Sequence, residues 1–182
     1  MKGTIRITLL LLLPIVAFAA GASTGSLANR AVRIIAPEPH TLLDAATLGQ
    51  EDAIFRMISA GEDPGRPVLL ERPLLSWRRG DTTTPLLVAI ANGELNQVAF
   101  MVRHTQRLTD SPNDSALCIA ARFGHANIAR FLMKIGVPAV PKNGCGELMR
   151  PEDVAARYGS GRLSKELEAY RLRVAKTRTD AS

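Results

Sequence analysis

Apolar residues between positions 42 and 170 recur with helical spacing, in pairs of short segments separated by a glycine. After Gly124, for example, Ile128, Phe131 and Leu132 fall at i, i+3 and i+4, which places them on one face of a helix. Four pairs of segments follow one another, and each predicts two short amphipathic helices joined by a turn. The separating glycines are Gly49, Gly93, Gly124 and Gly159.

Residues at the ends of these segments suit helix boundaries. Thr84 and Ser115 carry hydroxyl groups that fit helix N-caps. Pro85 and Pro151 fit the first helical turn, where a missing N–H costs nothing. Small pairs such as Ala120-Ala121 allow neighbouring helices to approach closely. One unit cannot bury its apolar face alone, so we expect the four units to stack on one another.

The repeated segments resemble the ankyrin repeat. Residues 115–136, SALCIAARFGHANIARFLMKIG, follow the pattern TPLHLAAxxGHxxVVxxLLxxG nearly position for position. Residues 84–105 keep TPL, an alanine and the glycine, whereas residues 40–61 and 150–170 resemble an N-terminal and a C-terminal cap. The resemblance spans residues 40–170 and implies an all-α ankyrin-repeat solenoid of four helix–turn–helix units with short β-turn fingers.

An insertion separates the first two units. The glycine spacings are 44, 31 and 35 residues, and the first exceeds the roughly 33-residue period by about eleven. The extra residues lie within 62–83, which holds three prolines, Arg78-Arg79 and Trp77, the only tryptophan of the chain. Two interpretations fit this composition. Either the segment is an enlarged finger that reaches a partner, or Trp77 and the leucines fold back over the first helix pair.

The first 22 residues are set apart from the fold. Lys2 and Arg6 precede sixteen uncharged residues, 7–22, which end in small residues. This pattern predicts a signal peptide over residues 1–22, with an uncleaved membrane anchor as the alternative. We expect the remainder to be exported, to a bacterial periplasm or as a secreted protein; the alternative is an inner-membrane anchor facing the periplasm.

Charge and composition narrow the class of partner. The formal net charge is +6 and falls to +4 without residues 1–22, too small a bias for a nucleic-acid-binding surface. We expect a monomeric domain that binds a protein and no nucleic acid. Residues 23–39 are a predicted linker and residues 171–182 a predicted basic, flexible tail. Membrane association through the uncleaved N-terminus or this tail is the alternative.

The sequence contains no recognisable catalytic arrangement, and we expect neither an enzyme nor a cofactor. His40, His104 and His125 are scattered, and none has metal-ligand spacing to another histidine, cysteine or carboxylate. His125 follows a turn glycine, a position where the ankyrin resemblance implies a structural histidine. Cys118 and Cys145 are candidates for a disulfide in an oxidising compartment. Ankyrin geometry does not clearly bring them within the Cα separation of about 7 Å that a disulfide requires, so two free thiols are the alternative.

The family resemblance also implies a binding face. In ankyrin stacks the two residues before each turn glycine point into a concave face and vary among members. Arginine and aromatic residues, which are enriched at interface hot spots, occupy these positions in the last two units. The alternative is that the rings pack against the fingers. The predicted contacts are Trp77, Asn92, Arg122, Phe123, Arg157 and Tyr158, with Asp110, Asn113 and Asp114 of one finger as secondary contacts.

The function predicted from these features is a non-enzymatic protein–protein interaction module that acts outside the cytoplasm. Its partner would bind the concave face and fingers of the stack. Two alternatives stay open: a regulator or immunity-type binder of one specific enzyme or toxin, and a membrane-anchored structural protein.

Overall fold

The computed structural model describes residues 38–105, 115–141, 144–145 and 150–180. The predicted signal peptide, nearly all of the predicted linker, and Asp110, Asn113 and Asp114 lie outside the described residues. Over the described ranges the chain forms eight α-helices and one two-stranded sheet.

The helices come in four consecutive pairs. Their bounds are α1 Leu42–Thr47, α2 Glu51–Ser59, α3 Pro85–Asn92, α4 Leu95–His104, α5 Ala116–Arg122, α6 Ala126–Lys134, α7 Pro151–Arg157 and α8 Gly161–Thr179. Strands β1 (Val68–Leu69) and β2 (Thr82–Thr83) pair antiparallel within the insertion, between α2 and α3. The predicted all-α stack of four units is confirmed.

The units stack through two rows of helices. We call α1, α3, α5 and α7 the first-helix row, because each contacts the first helix of the next unit. Helices α2, α4 and α6 stack in the same way beside them. Alanines at the contacts of the first-helix row, such as Ala46, Ala120 and Ala155, are completely buried. Small side chains here let the helices pack closely, and the apolar core runs through all four units.

The predicted helix starts are confirmed. The Thr84 hydroxyl accepts a hydrogen bond from the N–H of Leu87 (3.1 Å), and the Ser115 hydroxyl accepts one from the N–H of Cys118 (3.2 Å). Pro85 stands in the first turn of α3, as expected. An N-cap of this kind stabilises a helix by about 1 kcal/mol, which matters for helices only seven or eight residues long.

The turn at Gly93 requires glycine for two reasons. Its φ of 82° is left-handed, and a Cβ atom there would lie 2.6 Å from the Cε1 atom of His125. The His125 ring fills this space and donates from Nε2 to the carbonyl oxygen of Ala91 at 2.9 Å. The histidine therefore joins units two and three, and its predicted structural role is confirmed.

The last helix is longer than predicted. Residues 171–179, within the segment predicted to be a basic, flexible tail, are helical and continue α8. Two contacts hold the helix where the tail was expected to begin. The Tyr170 hydroxyl donates to the carbonyl oxygen of Val137 (2.7 Å), and Arg171 Nε donates to the buried Glu152 carboxylate (2.6 Å). None of the described helices combines the length and the apolar character needed to cross a bilayer.

The structure joins Cys118 and Cys145 by a disulfide. Their Cα atoms are 5.5 Å apart, within the range that a disulfide spans, and both side chains are buried. The bond links α5 to the connection that precedes α7. It therefore ties the last unit to the third.

Candidate functional site

Arg157 and Tyr158 stand at the end of α7 and face solvent. Tyr158 is the C-cap residue of this short helix and remains 56% exposed, although it is a large aromatic residue. Arg157 beside it is also exposed. A guanidinium and a phenol therefore lie side by side at the position where the family resemblance implies partner contact.

Arg122 and Phe123, the equivalent pair of the third unit, are partly covered. Phe123 is half-buried, and its ring lies parallel to that of His125, with 6.3 Å between the ring centres. Arg122 extends from the end of α5 to the insertion, where Nη1 donates to the Ser76 hydroxyl at 3.4 Å. Contacts with His125 and Ser76 therefore hold Phe123 and Arg122 more tightly than the repeat pattern alone implies.

Asn92 is half-buried and bonds to the neighbouring unit. Its side-chain amide donates to the carbonyl oxygens of Ala46 (2.9 Å) and Thr47 (3.5 Å) at the end of α1. The last carbonyl oxygens of a helix have no regular i+4 N–H donor within it, and here a side chain from the next unit donates to two of them. Asn92 therefore links units one and two, while its predicted contact with a partner stays a prediction.

Trp77 is removed from the predicted binding set. Its side chain is only 4% exposed and belongs to the apolar core, together with Leu70 of the same insertion. Burial of the large indole removes much apolar surface from water, and this free energy favours a hairpin that bends back to the stack. Trp77 and Leu70 thus fold back into the core and do not extend toward a partner.

The insertion nevertheless presents other side chains outward. Beyond β1 and β2, Leu70 and Asp81 continue the pairing (N···O 2.9 Å), and a tight turn closes between Leu74 and Trp77. Leu69 is 65% exposed and Leu75, within the tight turn, is 54% exposed. We call residues 62–83 the inserted hairpin. It is part core and part surface, and its Ser76 touches the third unit.

A groove of about 560 Å³ lies between α6 and α8. The apolar pattern of the chain does not predict this groove, and its one sequence signal is the spacing of Arg162 and Glu166, which form an i,i+4 ion pair. Glu166 also accepts two bonds from Arg130, at 2.7 and 3.0 Å. The Arg130 hydrogen bond lowers the pKa of Glu166, and Glu166 in turn raises the pKa of Arg130. These charges are already paired with one another and join units three and four.

The described residues contain no candidate metal site. Across residues 38–105, 115–141, 144–145 and 150–180, no three histidine, cysteine, aspartate or glutamate side chains converge on a site for a metal ion. At the predicted binding face, the most exposed side chains of the arginine–aromatic pairs are those of Arg157 and Tyr158, which suit contact with another macromolecule.

Comparison with known proteins agrees with this architecture. A family model described as ankyrin repeats (three copies) matches residues 42–143, more than half of the chain. No curated protein matches the chain. Repeats of this family are generally protein–protein interaction modules, and the stacked helix pairs described above lie largely within the matched range. The chain belongs to the ankyrin repeat family.

Proposed function

We propose that this protein is a non-enzymatic binding module whose protein partner contacts the last two units at Arg122, Phe123, Arg157 and Tyr158. The observation that carries the proposal is Tyr158, a large aromatic side chain left 56% exposed at the face where ankyrin repeats bind. Aromatic residues supply much contact area for few rotatable bonds, so they lose little entropy on binding.

The neighbouring pair supports a binding surface of more than one unit. Stacking on His125 restricts the ring of Phe123, and the bond to Ser76 restricts the guanidinium of Arg122. Side chains held in place before a partner arrives bind with a smaller entropic cost. Arg157 adds a second, exposed cation next to Tyr158.

The test uses a photo-crosslinking amino acid in place of Tyr158 in cells that naturally make the protein. The matched control places it at Ile135, an exposed apolar residue after α6 that lies outside the proposed set. We expect one discrete adduct from position 158 and none from position 135. Equal labelling from both positions, or no adduct from 158, contradicts the proposal. A single stoichiometric partner that is an enzyme or toxin identifies the regulator alternative.

We also propose that the module acts outside the cytoplasm. Two independent features support export: the basic and then apolar pattern of residues 1–22, and the close approach of Cys118 and Cys145, since disulfides persist in oxidising compartments. Intact-mass analysis of protein from its native cell provides the test. A mature N-terminus at Ala20 or Ser23 agrees with a cleaved signal, whereas an unprocessed chain in the membrane fraction identifies the anchored alternative.

A further inference from the structure

Leu75 combines an unfavourable backbone with an exposed side chain. Among the described residues it is the only non-glycine residue with a positive φ, 50°. A left-handed conformation is unfavourable for a residue with a Cβ atom, whereas glycine, and to a lesser degree asparagine, adopts it readily. Burial does not compensate here, because the leucine is 54% exposed. Such an outlier points to a role for the side chain itself.

The turn that carries Leu75 is held firmly. Leu74 and Trp77 exchange two backbone hydrogen bonds across it, of 3.0 and 2.8 Å. Trp77 is buried in the core on one side, and Ser76 accepts the bond from Arg122 on the other. The leucine is therefore presented from a rigid support instead of a loose loop tip.

The surroundings of Leu75 are apolar and basic. Leu69, at the end of β1, is 65% exposed. Arg72, Arg78 and Arg79 are exposed as well, and Glu71 is the one exposed acid between residues 70 and 80. Within the described part of the chain, no ion pair engages any of these three guanidinium groups. Residues 70–80 therefore carry a net charge of +2, although the inserted hairpin as a whole has four basic and four acidic residues. Leu69 and Leu75 are the two exposed leucines of this hairpin.

We propose that the inserted hairpin docks on an anionic lipid surface. Leu69 and Leu75 enter the boundary between head groups and acyl chains, while Arg72, Arg78 and Arg79 contact lipid phosphates. A bilayer suits these residues because it needs no matching pocket around an isolated projecting leucine. An exported chain with the apolar segment 7–22 is also expected to meet a membrane. The proposal does not depend on a protein partner at Tyr158.

Trp77 provides a local reporter for this docking. It is the only tryptophan of the chain and lies two residues from Leu75. The full chain is mixed with phosphatidylcholine vesicles whose acyl chains carry bromine, with and without phosphatidylglycerol. We expect the bromine to quench Trp77 emission on the anionic vesicles and much less on the neutral ones, with quenching that weakens as salt rises.

Two variants separate the apolar and the basic contributions. Leu75→Asn keeps the left-handed turn accessible and removes the apolar side chain, so quenching should need about fivefold more lipid. The combined Arg72→Gln, Arg78→Gln and Arg79→Gln variant should need about a hundredfold more, since each arginine near an anionic surface contributes roughly fivefold. The matched control is Leu172→Ser, a leucine 53% exposed on the basic helix α8, which should leave quenching unchanged.

Three results would overturn the proposal. The first is sedimentation of the chain with anionic vesicles without quenching of Trp77, because another segment then binds the lipid. The second is quenching that the hairpin variants leave intact but Leu172→Ser abolishes. The third is a response of Trp77 to soluble polyglutamate and to neither vesicle, which would indicate an acidic protein surface. Thermal unfolding of each variant checks that the stack is still folded.

Discussion

The inserted hairpin and the last unit both depart from the repeat pattern, and they place their aromatic residues in opposite environments. In the hairpin, Trp77 is buried while Leu69 and Leu75 face solvent. In the last unit, Tyr158 faces solvent while the carboxylate of Glu152 is buried. The difference teaches that residue type alone does not assign a side chain to core or contact surface. The path of the backbone around the stack decides it.

Substitution of the two aromatic residues tests this contrast with the largest expected effect. Trp77→Ala should lower the free energy of unfolding by about 3–5 kcal/mol, because it removes a large buried side chain and leaves a cavity. Tyr158→Ala should change it by less than about 0.5 kcal/mol. Urea denaturation of the two variants beside the parent protein measures both. A loss of unfolding free energy in Trp77→Ala as small as that in Tyr158→Ala would show that the burial of Trp77 contributes little.

Removal of the disulfide tests how firmly the last unit is attached. The Cys118→Ala, Cys145→Ala variant releases a connection of 27 residues, which should cost about 3.5 kcal/mol of unfolding free energy in the chain-entropy estimate. Denaturation with and without dithiothreitol checks the origin of the effect. The reductant should destabilise the parent and leave the variant unchanged. A parent protein that does not respond to reductant contradicts the prediction.

The buried ion pair of the last unit should give a smaller effect. Among the described residues, Arg171 is the one hydrogen-bond donor to the Glu152 carboxylate, and Arg171→Met removes it. The Oε2 atom of Glu152 has no partner there even in the parent protein. An unpaired buried carboxylate should destabilise the protein by about 2 kcal/mol. The double variant Glu152→Met, Arg171→Met is the control, because it removes both charges. A double variant less stable than the single one would argue against the pairing.

The ion pair between Arg130 and Glu166 should contribute least, since both side chains are partly exposed, 49% and 28%, and salt screens their charges. The folded-state pKa of Glu166 is lowered, mainly by the Arg130 hydrogen bond. Its stabilisation is therefore present above the unfolded pKa of about 4.3 and is lost as the pH falls through the folded value.

Melting temperatures of the parent protein and Arg130→Gln between neutral and acidic pH measure this contribution. The difference between the two proteins should shrink as the pH falls below about 4. Lys134→Gln, a change on the same helix that leaves the pair intact, is the control. A difference that does not depend on pH would show that Arg130 acts through packing alone.

Much of the architecture was predictable from local pattern. The spacing of apolar residues, the hydroxyl groups at Thr84 and Ser115, and the turn glycines each act within one helical turn or one repeat. Because every unit repeats the same residue pattern, four partial matches to that pattern predicted the stack and the structural role of His125. The exposure of Tyr158 agrees with the predicted face, while its contact with a partner stays a prediction.

The contacts that the sequence did not predict share a physical cause. Asn92 bonds to Ala46, 46 positions earlier in the chain, and Arg122 bonds to Ser76, also 46 positions away. No periodicity within a helix indicates such partners, because they depend on how separate units and the inserted hairpin pack together. The repeat pattern thus specified the helices, their caps and their order. Whether Trp77, Leu75 or Tyr158 meets water followed from tertiary packing, since burial depends on which distant segments cover a side chain.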